Sequence, residues 1–363
     1  MVRGVPACVQ PMGVSADLSS IVEAGALAPS ADNRHCFEVE VSAAGVLLLG
    51  STAFLEAPYH RKLLSLISFG AVGENMRIRA LRLGYRAALR WIPDPSRPSL
   101  MAELHLTQGE VVDCGLDAGI RGRHTNRRLV FSGPRLSEAE LGYFHRRLEG
   151  AEGVSLCFLD SAAQRPKLLR LMRIAEAERF NTRVLHEELF AALRFDAGWR
   201  ATVEEGLPPG ALGVEPGVRW AFAQLRRWPL MNALRRLGVH HALGFRAASL
   251  PCRLAPHCGV LTASAPTERS AITIGVVLQR LWLEAESRGL AFQPFAAPAL
   301  LALQEYSDVP AGTGERLRHG WNELTDATPM MVFRMGYAPR PAVRAGRPPI
   351  ERWMRSVAEA PTR

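Results

Sequence analysis

Residues 268–290, "ERSAITIGVVLQRLWLEAESRGL", form a strongly apolar pattern with helical spacing. Apolar side chains recur three and four positions apart, and Gly289 follows as a C-terminal stop. A helix that is apolar on most of its surface has to be covered by other elements of the fold. The stretch therefore predicts a core helix, and the rest of the chain has to supply the elements that cover it.

The elements around this helix follow an order that occurs twice. In the first half, helical spacing predicts helices over residues 16–28 and 63–83, with a strand pair between them that turns at residues 43–45. The second half begins with a helix opened by a capping box at Ser137 and Glu140, and strands and long helices follow. We predict an α+β fold of two similar halves, a pseudo-dimer in one chain, with antiparallel sheets around core helices.

The predicted domain boundaries follow from this repeat. Residues 1–120 form the first half and residues 121–363 the second. A stretch rich in proline and glycine at about 196–250 indicates an insertion or lid, although simple surface packing would give the same pattern. This stretch includes a basic amphipathic helix predicted over residues 220–237. The chain ends in a tail rich in arginine and proline.

Composition is that of an ordinary soluble globular protein. Hydrophobic residues make up 48% and charged residues 22% of the 363 residues. No segment has the roughly 18 uninterrupted apolar residues of a membrane-spanning helix, and the N-terminus lacks a signal-peptide core. The six cysteines show no framework spacing, which fits a reducing compartment. We expect a cytoplasmic protein with no membrane partner.

The net charge of +9 raises the question of nucleic-acid binding. Lys62 and Lys167 are the only lysines, and the arginines are spread along the chain without a basic tract or a known nucleic-acid module. Arginine here most simply takes the surface role of lysine. A small anion is therefore the favoured partner of any basic site, and no nucleic-acid partner is expected.

Several common chemical motifs are missing from the sequence. It contains no G-x-G-x-x-G, P-loop, H-E-x-x-H or G-x-S-x-G motif. Cys252, His257 and Cys258 have no second ligand pair at zinc-finger spacing, so they are interpreted as loop residues and no metal is predicted. The glycines of "GTGER" at 312–316 are not followed by a predicted helix that could present amides to a phosphate. No catalytic acid, base or nucleophile is identified.

Three polar stretches remain, and each has a simple structural interpretation of its own. "LAPSADNRHCF" at 27–37 could be an ordinary turn after the first helix. "RGRHTNRRLVF" at 121–131 could be a basic loop, and "YAPRPAVRAGRPPIE" at 337–351 could be a surface tail. Taken singly, none of the three decides between structure and function.

The basic stretch nevertheless has a pattern suited to phosphate. Arg123, Thr125 and Arg127 alternate, so an extended chain would aim them to one side. Two guanidinium groups and a hydroxyl suit a phosphomonoester, because arginine pairs with phosphate oxygens in a bidentate manner. Arg344 or Arg347 of the tail could reach the same anion, whereas Arg121 and Arg128 are predicted to be solvated.

Together and in this order, these stretches resemble the motifs of the nitroreductase superfamily of flavin mononucleotide (FMN) proteins, and most of all its single-chain, duplicated Acg-type branch. "APSADNRHCF" is similar to that family's "APS-x-x-N-x-Q-P-W" turn, and "RGRHTNRRLVF" to its "R-R-x-T-x-R-R-P-F" segment. The core helix with its following loop, "GVVLQRLWLEAESRGLAFQPF", and the closing strand and tail match as well. The matches extend over roughly residues 20 to 351.

The resemblance implies a cofactor site. In it, Arg123, Thr125 and Arg127 would hold the FMN phosphate and ring or ribityl atoms, and Arg347 would approach the phosphate. The isoalloxazine and ribityl side would be lined by Ser30, Asp32 and Asn33. The segment passing the flavin N5 would consist of Pro294, Phe295, Ala296 and Ala297. Gln279 of the core helix would lie nearby.

The activity implied is that of an FMN-dependent oxidoreductase, nitroreductase-like, which moves two electrons between NAD(P)H and a small conjugated acceptor by flavin hydride chemistry. Two alternatives stay open: a non-catalytic FMN-binding protein with a lid over the flavin, and an FMN-dependent dehydrogenase of a natural-product intermediate. The partner would be a small-molecule substrate. Because the halves repeat, the chain could be a monomer, and a homodimer is the other possibility.

Overall fold

The computed structural model describes residues 16–42, 45–92, 94, 96–303 and 308–355. The predicted turn at residues 43–45 lies partly outside these ranges, as do the N-terminal stretch before residue 16 and the end of the tail after residue 355. None of the described helices combines the length and apolar character needed to cross a membrane.

The strands of the described residues form two antiparallel sheets with the same strand order. The first sheet, ordered β1-β2-β4-β3, consists of β1 (Phe37–Ser42), β2 (Gly45–Gly50), β3 (Tyr85–Trp91) and β4 (Leu100–Gln108). The second, ordered β5-β6-β8-β7, consists of β5 (Val154–Phe158), β6 (His257–Ala263), β7 (Ala291–Phe295) and β8 (Thr328–Gly336). In both sheets the register shifts where the second strand meets the fourth. The predicted α+β class with two antiparallel sheets is confirmed.

Helices cover these sheets and connect them. In chain order they are α1 (Ala16–Ala26), α2 (Thr52–Leu55), α3 (Tyr59–Arg82), α4 (Gly119–Gly122), α5 (Glu138–Arg146), α6 (Gln164–Asn181), α7 (Arg183–Ala191), α8 (Arg219–Gln224), α9 (Trp228–Arg236), α10 (Val239–Gly244), α11 (Leu250–Arg253), α12 (Glu268–Ser287), α13 (Ala297–Leu300) and α14 (Ala311–Asn322). A π-helical turn, Phe245–Ser249, joins α10 to α11. The capping box predicted for α5 is present at Ser137 and Glu140.

Three sequence-based expectations about elements are wrong. The helix predicted over 220–237 is two helices, because Pro229, the second residue of α9, has no amide hydrogen and cannot continue the hydrogen-bond ladder of α8. The glycines at 312 and 314 lie inside α14, although no helix was predicted there. The segment after the core helix, predicted as a loop, contains the edge strand β7, where Pro294 is tolerated because one side of the strand has no partner.

Helices α3 and α12 cross in the centre of the molecule at backbone contact. A Cβ atom added to Gly275 would stand 1.9 Å from the carbonyl oxygen of Ile67, and one added to Gly70 would stand 2.0 Å from that of Ile272. Each helix thus places a glycine against the backbone of the other. The crossing brings one long helix from each half into direct contact, so that both sheets share a single large core.

Buried polar contacts fix the same crossing. The Gln279 amide donates to Asn75 Oδ1 at 2.7 Å, and Asn75 in turn donates to the Ala24 carbonyl at 2.8 Å. Arg280 of α12 pairs with Glu74 of α3 at 2.7 Å. Burial would raise the pKa of Glu74, but hydrogen bonds and the charges of its arginine partners lower it below its ordinary value. The carboxylate therefore stays ionised in the core.

The tail returns to the first half. The Val39 amide of β1 donates to the Trp353 carbonyl at 2.7 Å, and the Arg355 amide donates to the Val39 carbonyl at 2.8 Å. Before it reaches the first sheet, the tail passes the end of α1. The division at residue 120 remains a prediction.

Candidate functional site

A cavity of about 570 Å³ lies where the two halves meet. Its wall is built from the turn after α1, from α3, α6, α7 and α12, from the segment around Thr125, and from β7 with the start of α13. Elements far apart in sequence thus converge on one space, whose size is typical of sites for small ligands and cofactors.

Eight of the eleven predicted cofactor-binding residues line this cavity. They are Ser30, Asp32, Thr125, Arg127, Pro294, Phe295, Ala296 and Ala297. The other three do not line it: Asn33 belongs to the turn that follows α1, and Arg123 and Arg347 donate to carbonyls at the end of α1. Gln279 is fully buried in the helix crossing and is not part of the wall, and Arg344 is exposed.

Arg123 and Arg347 meet at the C-terminal end of α1. Arg123 donates to the Leu27 carbonyl at 2.8 Å and lies 4.5 Å over the ring of Trp282, which lines the cavity. Arg347 donates to the Ala28 carbonyl at 2.8 Å and to Asn33 Oδ1. The last carbonyls of a helix lack intrahelical partners, so both guanidinium groups find acceptors there.

The two arginines still lack a negative partner. Neither forms an ion pair with a carboxylate in the described part of the chain, and the Nε of Arg123 is buried without a hydrogen bond. Burial, together with the charge of Arg347, lowers the pKa of Arg123 to about 9. Burial lowers the pKa of Arg347 to about 10. Both side chains therefore remain charged at neutral pH at a cost that an anion would relieve.

His35 belongs to the same cluster and was not among the predicted site residues. Within the described structure, both of its ring nitrogens are buried without a hydrogen-bond partner. Burial, followed by the charges of Arg347 and Arg123, lowers its pKa well below the ordinary value. A neutral imidazole with two unused nitrogens beside two guanidinium groups is an arrangement that an anion could complete.

Arg127 faces the cavity itself. Its Nη1 makes a long contact of 3.4 Å with the Ala211 carbonyl, and it forms no ion pair with a carboxylate in the described residues. Burial lowers its pKa to about 10, although the charge of Asp32 opposes this change. The other arginines of the cavity wall are each paired: Arg61 with Asp32 and Glu188, Arg179 with Glu176, and Arg246 with Glu215.

These ion pairs were not predicted. Arg61 contacts Asp32 at 2.8 Å and Glu188 at 3.1 Å, and the three residues come from α3, the turn and α7. Arg179 and Glu176 are three positions apart in α6, but the partners in the other pairs are separated by tens of residues and belong to no short motif, so the sequence carries no local signal for those pairs. In these pairs three arginines face four carboxylates, and none of the four forms an ion pair with Arg127, which is the one arginine of the described cavity wall without such a partner.

The turn opposite Arg127 has an unusual backbone. Asp32 and Asn33 both have φ of 55°, a left-handed conformation that aspartate and asparagine tolerate better than most residues. Beside them, the hydroxyl oxygen of Ser30 is buried without a hydrogen-bond partner. A buried hydroxyl on a cavity wall is satisfied when a ligand supplies a polar atom.

The segment that carries Thr125 and Arg127 is held in place by Asn126. The Asn126 amide donates to the Phe292 carbonyl of β7 at 3.0 Å, and its side chain donates to the Pro339 carbonyl at 3.0 Å. Asn126 is almost fully buried. It thus acts as a positioning residue that sequence analysis missed.

The predicted insertion contributes an apolar part of the wall. Among its residues, Leu212, Val214, Val218, Phe222, Leu225 and Leu243 line the cavity. Gly213, with φ of 71°, passes so close to Arg127 that a Cβ atom would stand 2.3 Å from the Arg127 carbonyl oxygen. The insertion is therefore packed directly on the basic segment.

Solved structures with similar folds were found, all at low sequence identity. The FMN-dependent nitroreductase NfnB from Mycobacterium smegmatis, in complex with NADPH, is 19% identical, with 67% of this chain and 98% of that chain covered at a TM-score of 0.39. A nitroreductase-like family protein from Bacillus cereus is 14% identical, with 68% of this chain and 96% of that chain covered at a TM-score of 0.38. A nitroreductase with bound FMN from Desulfitobacterium hafniense is 14% identical, with 68% of this chain and 100% of that chain covered at a TM-score of 0.36. A scan of protein-family models and a search of curated proteins gave no match.

Proposed function

We propose that the chain binds FMN at this site and is an oxidoreductase that moves two electrons between NAD(P)H and a small conjugated acceptor. One observation carries the proposal. The three arginines that the motifs assign to the cofactor, Arg123, Arg127 and Arg347, each lack a carboxylate partner in the described structure, whereas the other arginines of the cavity wall are paired. Three uncompensated charges around one turn suit a compact multivalent anion with a polar body attached.

The residues present fit such a group. Arg123 and Arg347 would bind the phosphate, and the free nitrogens of His35 extend the same cluster. Arg127 and Thr125 would contact the polar edge of the ring and the ribityl chain from the cavity side. Ser30 would gain a partner for its buried hydroxyl, and residues 294–297 would form the wall along the ring.

FMN, when bound, supplies the two-electron chemistry, so the chain needs no nucleophile or metal for that step. What the chain contributes is binding and electrostatics. The positive charge of Arg127, held in a partly buried site, favours negative charge on the group next to it. The insertion and the apolar residues it carries keep water away from that side of the cavity.

The first expected result is that the purified chain binds FMN. Protein expressed with adequate flavin should absorb in the flavin region, and colourless protein should become yellow after reconstitution and gel filtration. Riboflavin, which lacks the phosphate, is the matched control ligand, and we expect it to bind at least tenfold more weakly because it cannot engage the arginine cluster. Protein that retains neither ligand would contradict the proposal.

A second candidate, a non-catalytic FMN-binding protein, is favoured by the insertion that lines one side of the cavity. Anaerobic mixing of the FMN-loaded protein with NADPH or NADH separates the two functions. Bleaching of the flavin absorbance within seconds to minutes, followed by recovery with a quinone or nitroaromatic acceptor, is expected for the oxidoreductase. A flavin that dithionite reduces but neither nicotinamide does would instead identify sequestration, or a dehydrogenase whose own substrate is the reductant.

A further inference from the structure

The outer surface of the insertion exposes large apolar side chains. Trp220 is 77% exposed and Leu237 81% exposed, the highest values among the large hydrophobic residues of the described chain. Leu230 and Phe245 are each 38% exposed. Such a group within 26 residues is unusual for a soluble surface, where exposed apolar residues are normally scattered singly.

The exposed apolar side chains of α9 are distinct from the side chains with which this helix packs into the protein. On the opposite face of α9, Met231 is fully buried, and Trp228 packs against His186 with ring centroids 5.2 Å apart. Leu230 and Leu237 are seven positions apart in and just after α9, so they share its outer side, with Ala233 between them. The helix therefore has one apolar face that packs inward and a second apolar stripe that the described structure leaves uncovered.

The charged residues of the same stretch of chain all have one sign. No aspartate or glutamate occurs between Glu215 and Glu268, whereas this stretch contains seven arginines. Of these, Arg226, Arg227 and Arg236 are exposed and form no ion pair within the described residues. The exposed side chains of the insertion thus combine cations with large apolar groups; we call this set, Trp220, Arg226, Arg227, Leu230, Arg236, Leu237 and Phe245, the outer face.

We propose that the outer face docks on the surface of an anionic phospholipid bilayer. Arginines interact with lipid phosphates, while tryptophan, phenylalanine and leucine enter the boundary between headgroups and acyl chains, as in amphipathic helices that lie in the membrane plane. This mode of binding needs no spanning helix, and the proposal replaces the sequence-based expectation that the chain has no membrane partner. The site is independent of the proposed flavin site and is tested without reference to it.

Charge and exposure disfavour other occupants. A second copy of the chain would set arginines against arginines across a two-fold axis, which costs energy unless carboxylates intervene. Nucleic acid could pair its phosphates with the arginines, but it offers no hydrocarbon in which Leu230 and Leu237 could be buried. The outer face also provides no basic groove for a nucleic-acid strand. A bilayer uses both classes of side chain.

The test is co-sedimentation of the full chain with phosphatidylcholine vesicles, with and without phosphatidylglycerol. We expect binding to the anionic vesicles, weakened but retained at physiological salt, and little binding to phosphatidylcholine alone. A short single-stranded and a double-stranded oligonucleotide are assayed in parallel. Absence of binding to anionic vesicles at low salt, or binding to the oligonucleotides alone, would overturn the proposal.

Two variants separate the electrostatic and the apolar contribution. The neutralised variant is Arg226→Gln/Arg227→Gln/Arg236→Gln, and its control with the same net charge is Arg97→Gln/Arg135→Gln/Arg170→Gln. We expect the neutralised variant to bind about 100-fold more weakly, at roughly a tenfold loss per 1.4 kcal/mol and about 1 kcal/mol per arginine. The control, whose exposed arginines lie outside the outer face, should bind like the unchanged chain.

The apolar variant is Trp220→Ser/Leu237→Ser, with Val111→Ser/Val112→Ser as the control at exposed positions elsewhere. We expect the apolar variant to lose at least tenfold in affinity for anionic vesicles. Thermal melting and gel filtration show whether each variant is folded. Equal binding by a folded Trp220→Ser/Leu237→Ser variant and the unchanged chain would show that attraction is electrostatic only and would contradict bilayer docking.

Discussion

An Arg123→Ala/Arg127→Ala variant is expected to bind FMN at least about 100-fold more weakly than the unchanged chain. Each substitution removes a cation that lacks a carboxylate partner in the described structure, and hydrogen bonds to charged groups contribute about 1.5–3 kcal/mol each. The measurement is flavin fluorescence during titration of the apoprotein with FMN. Affinity within threefold of the unchanged chain would show that these arginines do not bind the cofactor.

The same loop supplies a matched control. Arg121 and Arg128 are exposed; Arg121 pairs with Glu23 at 2.7 Å, and Arg128 donates to the Pro339 carbonyl at 3.0 Å. An Arg121→Ala/Arg128→Ala variant removes the same number of charges from the same segment, and we expect it to retain FMN. If both double variants lose FMN equally, the effect is one of net charge rather than of contact.

The stability of the apoprotein distinguishes binding from a structural role. Arg123 caps α1 and covers Trp282, so its loss should destabilise the fold to some extent. Arg127 contributes little beyond its long contact with Ala211, and burial lowers its pKa. A cation with a depressed pKa in the folded state opposes folding at neutral pH, so apoprotein carrying Arg127→Ala alone should melt at the same temperature or higher while binding FMN more weakly. A lower melting temperature of the Arg127→Ala apoprotein together with weaker FMN binding would indicate that Arg127 has a structural role.

Local patterns predicted most of the elements of the fold. The capping box at Ser137, the apolar periodicity of α12 and the strand pair β1 and β2 depend on neighbouring residues, which the sequence displays directly. The expectations that were wrong depend on distant partners. Strand β7 exists because β8 offers it an edge, and α14 forms despite its glycines because Leu317 and Trp321 are buried in a smaller hydrophobic cluster with Leu171 of α6 and Val332 of β8.

The residues of the candidate site also fall into two groups: those that a local motif predicts and those whose position depends on distant partners. Most of the residues that the motifs assigned to the cofactor line the cavity, including Thr125 and Arg127, because a cofactor contact requires particular residue types at fixed spacing. Alternation alone predicted that Arg123 would point with them, but Arg123 does not line the cavity: it follows the last residue of α4, and its guanidinium group lies beside Arg347 at the end of α1. The cluster also includes His35, which lies within the turn motif but was not assigned to the cofactor.

The helix crossing provides the strongest test of the fold itself. A Gly275→Ala variant is expected to lose about 3 kcal/mol of folding free energy or more, because its Cβ atom would stand 1.9 Å from the Ile67 carbonyl oxygen, a backbone atom that cannot rotate away. The helices would have to separate and disturb the Asn75–Gln279 hydrogen bond beside the contact. The measurement is urea unfolding followed by circular dichroism.

Gly312→Ala is the control for that experiment, because Gly312 lies in α14 with no atom within 4 Å of its added Cβ. Alanine favours helix over glycine by about 1 kcal/mol, so this variant should be as stable as the unchanged chain or slightly more stable. Opposite effects of the same substitution in two helices would show that glycine is required at position 275 because of the backbone contact with α3, and not because of helix propensity. If Gly275→Ala unfolds at the same urea concentration as the unchanged chain, α3 and α12 do not cross at backbone contact, and the shared core that positions the cavity between the two halves would have to be built differently.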